Sequence, residues 1–415
     1  MTDKSVIVIG AGPVGLFTAL LLAKKGIKVT VIEAAEGISR SPRAAVQLPT
    51  ACLEFGMAGV IQDVLSHGLK SVCGFSWRDG NDITKVLADF TPPPSDNPNL
   101  CAAFLGQDVL SSIFLNHLYN TGNGTVIFNH AFTHAQDHGD SVTVYVRRTI
   151  DDQELSFNCR YLVGADGGRS SVRKSIGLSL EGFTWPDIRL IAVNFLYDME
   201  PFCWKDGNFI VHPTDWAVVV RRGKGNMWRV ATSVPFVETP DEEPINDKSV
   251  LPVIKERLAR ILPGNTDDII YLQAAPYTIH QRVVSKYRSG NVLLAGDAAH
   301  LNNPVGGLGC DTGILDAAHL AKALTEVLTQ NAPDTVLDEY ARARREVFTN
   351  ITDPMSTANL LRLKGFTPED VAAREDFFKM VNDPNEGNRL FAYMAREMGI
   401  STTLDLKDLG VKSQL

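Results

Sequence analysis

At 415 residues, with 44% hydrophobic and 21% charged side chains, the chain is long enough for two or three domains around a large core. Lys and Arg number 40 against 48 Asp and Glu, a net charge of −8 with no cationic run, which argues against nucleic acid or an anionic membrane surface as partner. The six cysteines are scattered without C-x-x-C spacing, which fits free thiols in a reducing compartment and predicts a cytoplasmic protein.

Residues 6–9 read as a short buried strand, 13–25 as a helix and 28–32 as a second strand, a βαβ unit that seeds a parallel sheet. Lys4 and the apolar run to residue 23 imitate a secretory signal, but the glycines and proline at 10–15 argue against one, and no membrane span is expected. The TPPPS segment at 91–95 reads as a connection out to another domain, and 106–119 as a helix. Strands are expected at 125–128, 131–136, 142–147 and 161–165, the last followed by a turn and helix over 166–177. From about 183 to 287 the pattern changes to antiparallel strands at 188–197, 208–212, 217–222 and 228–234. A buried strand returns at 292–295. From about Cys310, Ile314, Ala317, Ala321, Leu324 and Leu328 recur at helical spacing, and the tail from about 340 to 415 is charged and helical.

Gly10, Gly12 and Gly15 form G-x-G-x-x-G between strand and helix, with Pro13 and Val14 opening the helix. In that context the first glycine serves a tight turn, the second admits a pyrophosphate to the backbone, and the third packs helix on strand. Glu33, with Ala34 after it, ends the second strand where a carboxylate reaches a ribose 2′-hydroxyl. The stretch NVLLAGDAAHLNNPVGGLGCDTGILDA at 291–317 has the same logic: strand, Gly296–Asp297 pair, Pro304, then Gly306, Gly307 and Gly309 around Leu308 before a helix whose N-terminus carries Cys310 and Asp311. Asp297 would accept from a ribityl hydroxyl, and the helix N-terminus would face a polar ring. Alone, this stretch is also compatible with a plain glycine-rich turn.

GAGPVG at 10–15, GADGGRSSVR at 164–173 and AGDAAHLNNP at 295–304, in this order and with a sheet-rich insert between the last two, resemble the single-component FAD-dependent aromatic hydroxylases, the para-hydroxybenzoate hydroxylase-like group A flavoprotein monooxygenases. The resemblance spans about residues 4–345 and implies an α/β fold: a Rossmann-like FAD-binding domain (GR2-type) with an inserted, mostly antiparallel substrate domain and a C-terminal helical segment. The expected division is 1–75, 100–182 and 286–345 for FAD, 76–99 and 183–285 for substrate, and 346–415 as a helical end. The resemblance implies that Arg43 reaches the pyrophosphate and Gln107 the ribityl chain or phosphate, and that Asp166 and Gly167 belong to a second fingerprint serving FAD and the nicotinamide donor. Arg43 as a solvated charge, Gln107 as an exposed glutamine and Asp166 as a turn cap remain open alternatives. No second G-x-G-x-x-G unit follows a strand, so NAD(P)H, either NADH or NADPH, is expected to visit transiently.

The implied activity is hydroxylation of a small phenolic or other aromatic compound through a flavin C4a-hydroperoxide, with NAD(P)H and O2 as co-substrates and a monomer or homodimer as the assembly. The rivals are a flavoprotein of the same fold that epoxidises or dehydrogenates a non-aromatic substrate, and a low-turnover FAD-binding redox sensor. By family placement Phe209, Val211, Val218, Val220 and Tyr277 are expected to wall the substrate pocket. Tyr277, His212, Arg222 and His280 are the candidates to deprotonate or anchor a phenol, and Pro304 is expected at the oxygen-reactive edge of the ring. Asp311 stands where the family's G-x-G-x-N-T-G pattern has asparagine. An ionised carboxylate there would disfavour anionic reduced flavin unless it is protonated or turned away, and a helix-capping role is the alternative. The spacing of His130, His134 and His138 suggests a metal, but the flanking residues read as strand, so no metal site is expected. His300 reads as a structural hydrogen-bonding residue.

Overall fold

The computed structural model of the protein describes residues 4–92, 97–234, 250–389 and Met398. Most of the proline-dense segment at 91–95 and the end of the expected helical tail lie outside the described residues.

Two sheets organise the chain. The first has six strands in the order Arg288–Ser289, Val292–Leu294, Tyr161–Gly164, Val6–Ile9, Val29–Ile32 and Gly124–Ile127. All its neighbours are parallel except the outermost pair, Arg288–Ser289 with Val292–Leu294. Strands buried on both faces need continuous apolar runs, which VIVI at Val6–Ile9 and YLVG at Tyr161–Gly164 supply. Helices Pro13–Lys24 and Leu308–Gln330 pack against each other beside this sheet, and their apolar faces join the largest core cluster.

The second sheet has eight strands in the order His300–Leu301, Ile270–Val284, Leu180–Leu196, Met227–Val234, Ala217–Arg221, Gly207–Val211, Phe75–Asp79 and Val86–Phe90. Only Gly207–Val211 with Phe75–Asp79 is a parallel pair. His300–Leu301 pairs with Val283 and Arg282, so the glycine-rich 291–317 stretch is tied into this sheet as well as the first. One face carries Ile191, Val193, Ile210, Val219, Trp228 and Val230 and is closed by the helix Val250–Ile261. The other face turns to the first sheet.

The strand Glu154–Cys159 completes a small sheet with His130–Asp137 and Val142–Arg148; its polar, alternating sequence gave no strand signal. Helices Pro49–Met57, Ile61–His67 and Val250–Ile261 are likewise additions to the elements expected. After Thr335–Val347, helices Asp353–Lys364 and Pro368–Asn382 return to the second sheet, where Leu360, Leu363, Phe378 and Val381 cluster with Trp77, Phe209 and Trp216. Among the described residues no helix is long and apolar enough to cross a membrane.

Candidate active site

The two sheets leave between them a cavity of about 1770 Å³. At its nucleotide end, Gly10 has φ +107° and a Cβ there would lie 2.4 Å from the Ala165 carbonyl oxygen, so only glycine makes this turn. A Cβ on Gly15 would lie 2.0 Å from the Gly10 carbonyl oxygen, because the helix packs directly on the strand end. Gly12 differs: nothing lies within 4 Å of its Cβ position, and it opens into the cavity with Pro13 and Val14. That empty cradle is what a pyrophosphate needs, so the residues present fit a dinucleotide cofactor. Glu33 accepts from the amides of Ala11 at 2.8 Å and Ala35 at 2.9 Å, which fixes its carboxylate at the cleft with a lone pair free on each oxygen.

Ala34, Arg43, Gln107, Asp166, Gly167 and Asp297 line the same cavity. Burial pushes the Asp297 carboxyl up, opposed by the charges of His300 and of Arg43, whose guanidinium therefore acts across the cleft although the side chain is exposed. Asp166 accepts from the amides of Ser171 at 2.7 Å and Val172 at 3.2 Å, and so caps the short helix Ser171–Ser175 while facing the cavity.

Pro304, Gly306, Gly307, Gly309 and Cys310 form the next stretch of wall. Gly307, at φ +73°, is the N-cap of Leu308–Gln330, so the first turn of that helix faces the cavity. Two residues without a sequence-based role hold this loop. The Gln281 side-chain oxygen accepts from the backbone and side-chain amides of Asn303 at 2.7 and 3.0 Å, while its nitrogen donates to Ser356 and Thr357, both at 3.1 Å. Asn303 in turn accepts from the Val305 amide at 3.0 Å.

Gly15, Gly296, Leu308 and Asp311 lie behind this wall rather than in it. Gly15 and Gly296 serve backbone packing, the Gly296 amide donating to Asp316 at 3.0 Å, and Leu308 packs with Leu315 and Met398. Asp311 is wholly buried and accepts from the Leu48 amide at 3.0 Å, with its other oxygen unpartnered. Burial pushes its carboxyl up, which favours the neutral form, and the residue lies behind the cavity wall rather than in it.

At the sheet end, strand alternation aims Phe209, Val218, Val220 and Tyr277 into the cavity with Leu190, Ala192, Ala231 and Trp216. Val211 shares their face but not the cavity, because the C-terminal helices cover that end of the sheet through Leu360, Leu363 and Phe378. His212 lies farther along the same covered edge. Its backbone amide donates to the Leu363 carbonyl at 3.0 Å and its Nδ1 accepts from the Asp215 amide at 2.8 Å, so it closes a turn and does not line the cavity. Burial, with Arg257 nearby, pushes its imidazole down. Arg222 is also outside: it pairs with Asp108 at 2.7 Å and ties the sheet to the helix Gln107–Asn120.

His280 does line the cavity, sharing a proton with the Thr184 hydroxyl at 2.8 Å. Burial pushes the Tyr277 phenol up to about 12, against a lowering by Arg229. Arg229, which lines the cavity opposite Val220 in the strand register, was missed; alternation along the expected strand 228–234 puts it on one face with Ala231. Of the three spaced histidines, His134 stacks on Tyr145 at 4.2 Å and His130 bonds the Phe128 carbonyl. Among the described residues no group of three His, Cys, Asp or Glu could hold a metal.

Residues 3–354 match the model of the family described as "FAD binding domain". The chain is 37% identical to para-nitrophenol 4-monooxygenase of Pseudomonas sp. (strain WBC-3), over 91% of this chain and 92% of that protein. It is 32% identical to 6-hydroxy-3-succinoylpyridine 3-monooxygenase HspB of Pseudomonas putida (strain DSM 28022 / S16), over 87% and 89%. Among solved structures, p-nitrophenol 4-monooxygenase PnpA from Pseudomonas putida DLL-E4 superposes with a TM-score of 0.86 at 34% identity, covering 95% of this chain and 98% of that one. A ternary complex of aklavinone-11 hydroxylase with FAD and aklavinone gives 0.72 at 26% identity, covering 86% and 69%. A cleft built for a dinucleotide, opening into an apolar pocket on an antiparallel sheet, and these likenesses agree: the chain belongs to the FAD-binding family of aromatic-ring monooxygenases.

Proposed function

We propose that the protein hydroxylates a small phenolic ring, with FAD as bound cofactor and NAD(P)H and dioxygen as co-substrates. The observation that carries this reading is the continuity of the cavity, from Gly12 and Glu33, past Pro304 to Gly307, to the apolar sheet pocket around Tyr277. Bound FAD supplies the capacity to be reduced by NAD(P)H and to activate dioxygen.

The chain's own residues do the rest. Gly10, Gly12, Pro13 and Val14 receive the pyrophosphate, Glu33 and Ala34 the adenosine ribose, Arg43 the phosphate charge, and Gln107 and Asp297 the ribityl chain. Asp166 and Gly167 shape the turn that the nicotinamide donor passes. The N-terminus of Leu308–Gln330, with Gly309 and Cys310, favours negative charge on the ring. Pro304 and its neighbours, pinned by Gln281, exclude water from the reacting edge. Phe209, Val218 and Val220 hold the substrate ring. Tyr277 stays protonated at neutral pH and donates to a substrate oxygen, and His280 with Thr184 carries protons at the cavity wall.

Six cysteines without a disulfide support a reducing, cytoplasmic setting. The parallel sheet and the eight-stranded sheet support the expected division into cofactor-binding and substrate-binding parts. The relatives named for para-nitrophenol and a hydroxylated pyridine support a phenol-like ring as substrate. In the test, purified yellow holoprotein oxidises NAD(P)H faster when 4-nitrophenol or another phenol is added, and hydroxylated product matches the NAD(P)H consumed. Hydrogen peroxide as the only product sinks the reading.

A further inference from the structure

The Cys52 and Cys101 thiols, from distant segments of the chain, are hydrogen-bonded to each other. Cys52 sits in the helix Pro49–Met57, and Cys101 ends the loop that leads into the strand Ala103–Phe104. Three contacts bring the two segments together. Gln47, just before the helix, pairs with Ala103, just after Cys101. The Cys52 sulfur lies 3.9 Å from the Gln47 carbonyl oxygen. One turn along the helix, a Cβ on Gly56 would lie 2.4 Å from Asn99 Nδ2, so the loop rests directly on the helix. Neither thiol lines the cavity, and neither has a part in holding cofactor or substrate.

The two sulfurs differ in access and in acidity. Cys101 is 7% exposed beneath the half-buried residues Asn97, Asn99 and Leu100, whereas Cys52 is at 0%. The hydrogen bond with Cys52 lowers the Cys101 thiol, against burial and with help from the Lys70 charge. The same bond, and then burial, push the Cys52 thiol up. The thiolate is the nucleophile, so one sulfur is prepared to attack while the other stays protonated beside it. A small oxidant that passes the loop meets Cys101 first.

We infer that Cys52 and Cys101 form a peroxide-reactive dithiol, with Cys101 as the attacking and Cys52 as the resolving sulfur, that closes to a disulfide. Hydrogen peroxide is the oxidant. The Cys101 thiolate attacks one peroxide oxygen, the O–O bond breaks, and hydroxide leaves to take up the proton that Cys101 had released, so that water and a Cys101 sulfenic acid result. The Cys52 sulfur then attacks the Cys101 sulfur. An S–S bond forms, the S–O bond breaks, and the hydroxyl departs as water with the Cys52 proton. Two thiols are oxidised, one peroxide is reduced and two waters are released. Peroxide arises at the protein's own cofactor whenever reduced FAD meets dioxygen without hydroxylating a ring. That source rests on the monooxygenase reading above, but the dithiol does not. The bridge records, in the chain itself, turnover that has run without product.

The experiment adds hydrogen peroxide in slight excess to FAD-saturated holoenzyme with its six thiols reduced, alkylates what remains, and maps unreduced peptides by mass spectrometry. The Cys52 and Cys101 thiols are lost in step, and a linked pair of peptides appears that is two hydrogens lighter than the two alone and is released by dithiothreitol. Cys52→Ser forms no bridge and carries a dimedone-trapped sulfenic acid on Cys101, while Cys101→Ser leaves Cys52 reduced. The inference is overturned if Cys52 and Cys101 in the parent remain thiols when the exposed Cys73 and Cys203 are already oxidised, or if either bridges to another cysteine. A dimedone adduct on Cys52 in Cys101→Ser, with none on Cys101 in Cys52→Ser, overturns the assigned roles. A second arm supplies NAD(P)H in air without added peroxide or ring substrate, where the same bridge forms and catalase prevents it. No bridge in this arm, with a bridge on added peroxide, overturns the flavin as the source and leaves the dithiol standing.

Discussion

The Asp316 carboxylate and the Arg344 guanidinium meet at 2.7 Å with both side chains at 0% exposure, directly behind the Pro304–Gly309 wall. Asp316 also accepts from His300 Nε2 at 2.8 Å and from the Gly296 amide at 3.0 Å, and Arg344 donates to the carbonyls of Thr312 and Met398. The pair thus joins the Gly296–Asp297 turn, the helix Leu308–Gln330 and the C-terminal part of the chain.

Removing the charge from Asp316 leaves the buried Arg344 without its ion-pair partner, so Asp316→Asn is expected to lower stability by about 3–5 kcal/mol in a urea titration. Burial alone would raise the Asp316 carboxyl; the charges of His300 and Arg344 outweigh it and hold the group below the usual carboxylate range. A carboxyl depressed in the folded state stabilises the fold above its unfolded value of about 3.9, and that contribution is lost as pH falls through the folded value. The parent should therefore lose more stability than Asp316→Asn between neutral and strongly acidic pH. Parallel pH profiles would refute the pairing.

Gly10 and Gly12 should fail in opposite ways. Gly10→Ala puts a Cβ 2.4 Å from a backbone oxygen at φ +107°, so the apoprotein itself should be destabilised, by about 1–3 kcal/mol. Gly12 has φ −73° and open space at its Cβ, so Gly12→Val should fold as the parent does yet bind FAD at least about a hundred-fold more weakly. Apoprotein melting together with flavin fluorescence separates the two. A Gly12→Val protein that keeps its FAD would remove the pyrophosphate from this turn.

Asp311 bears on the ring less than its sequence position suggests. Buried, with its carboxyl pushed up by that burial and bonded to the Leu48 amide, it is nearly isosteric with the asparagine common at this position. Asp311→Asn should leave the flavin midpoint potential within about 15 mV of the parent. A rise above about 30 mV, near 1.4 kcal/mol for a two-electron couple, would mean that the carboxylate is ionised in the holoenzyme.

Local signals account for the cofactor side of the molecule. The first βαβ unit, the three glycines and Glu33 lie within 28 residues, while Phe209, Val218, Val220 and Tyr277 were placed by the family resemblance and their apolar character. What stayed hidden depends on contacts between distant segments. Val211 lies on the same strand face as Phe209 but is covered by helices more than a hundred residues later, and His212 is drawn to Leu363. The value of Arg229 depends on Asn194 across the sheet, and Arg222 is removed from the pocket by Asp108 on a separate helix. Side-chain pairs of this kind leave no periodic trace in the sequence.

Gln281 is the clearest test of such a hidden link. Buried between the sheet and the helix Asp353–Lys364, it supplies the acceptor for both amides of Asn303, the residue before Pro304. Gln281→Leu keeps the volume but strands those two donors, at a cost of about 1–3 kcal/mol each if they stay buried. The loop can recover them only by moving toward solvent, which opens the reacting edge to water. NAD(P)H oxidation should then continue near the parental rate while hydroxylated product per NAD(P)H falls roughly two-fold or more, since small misplacements carry large kinetic penalties. Product yield and peroxide measured on the same samples decide the matter: parental coupling in a destabilised Gln281→Leu protein would make Gln281 a fold-stabilising residue with no part in shaping the loop.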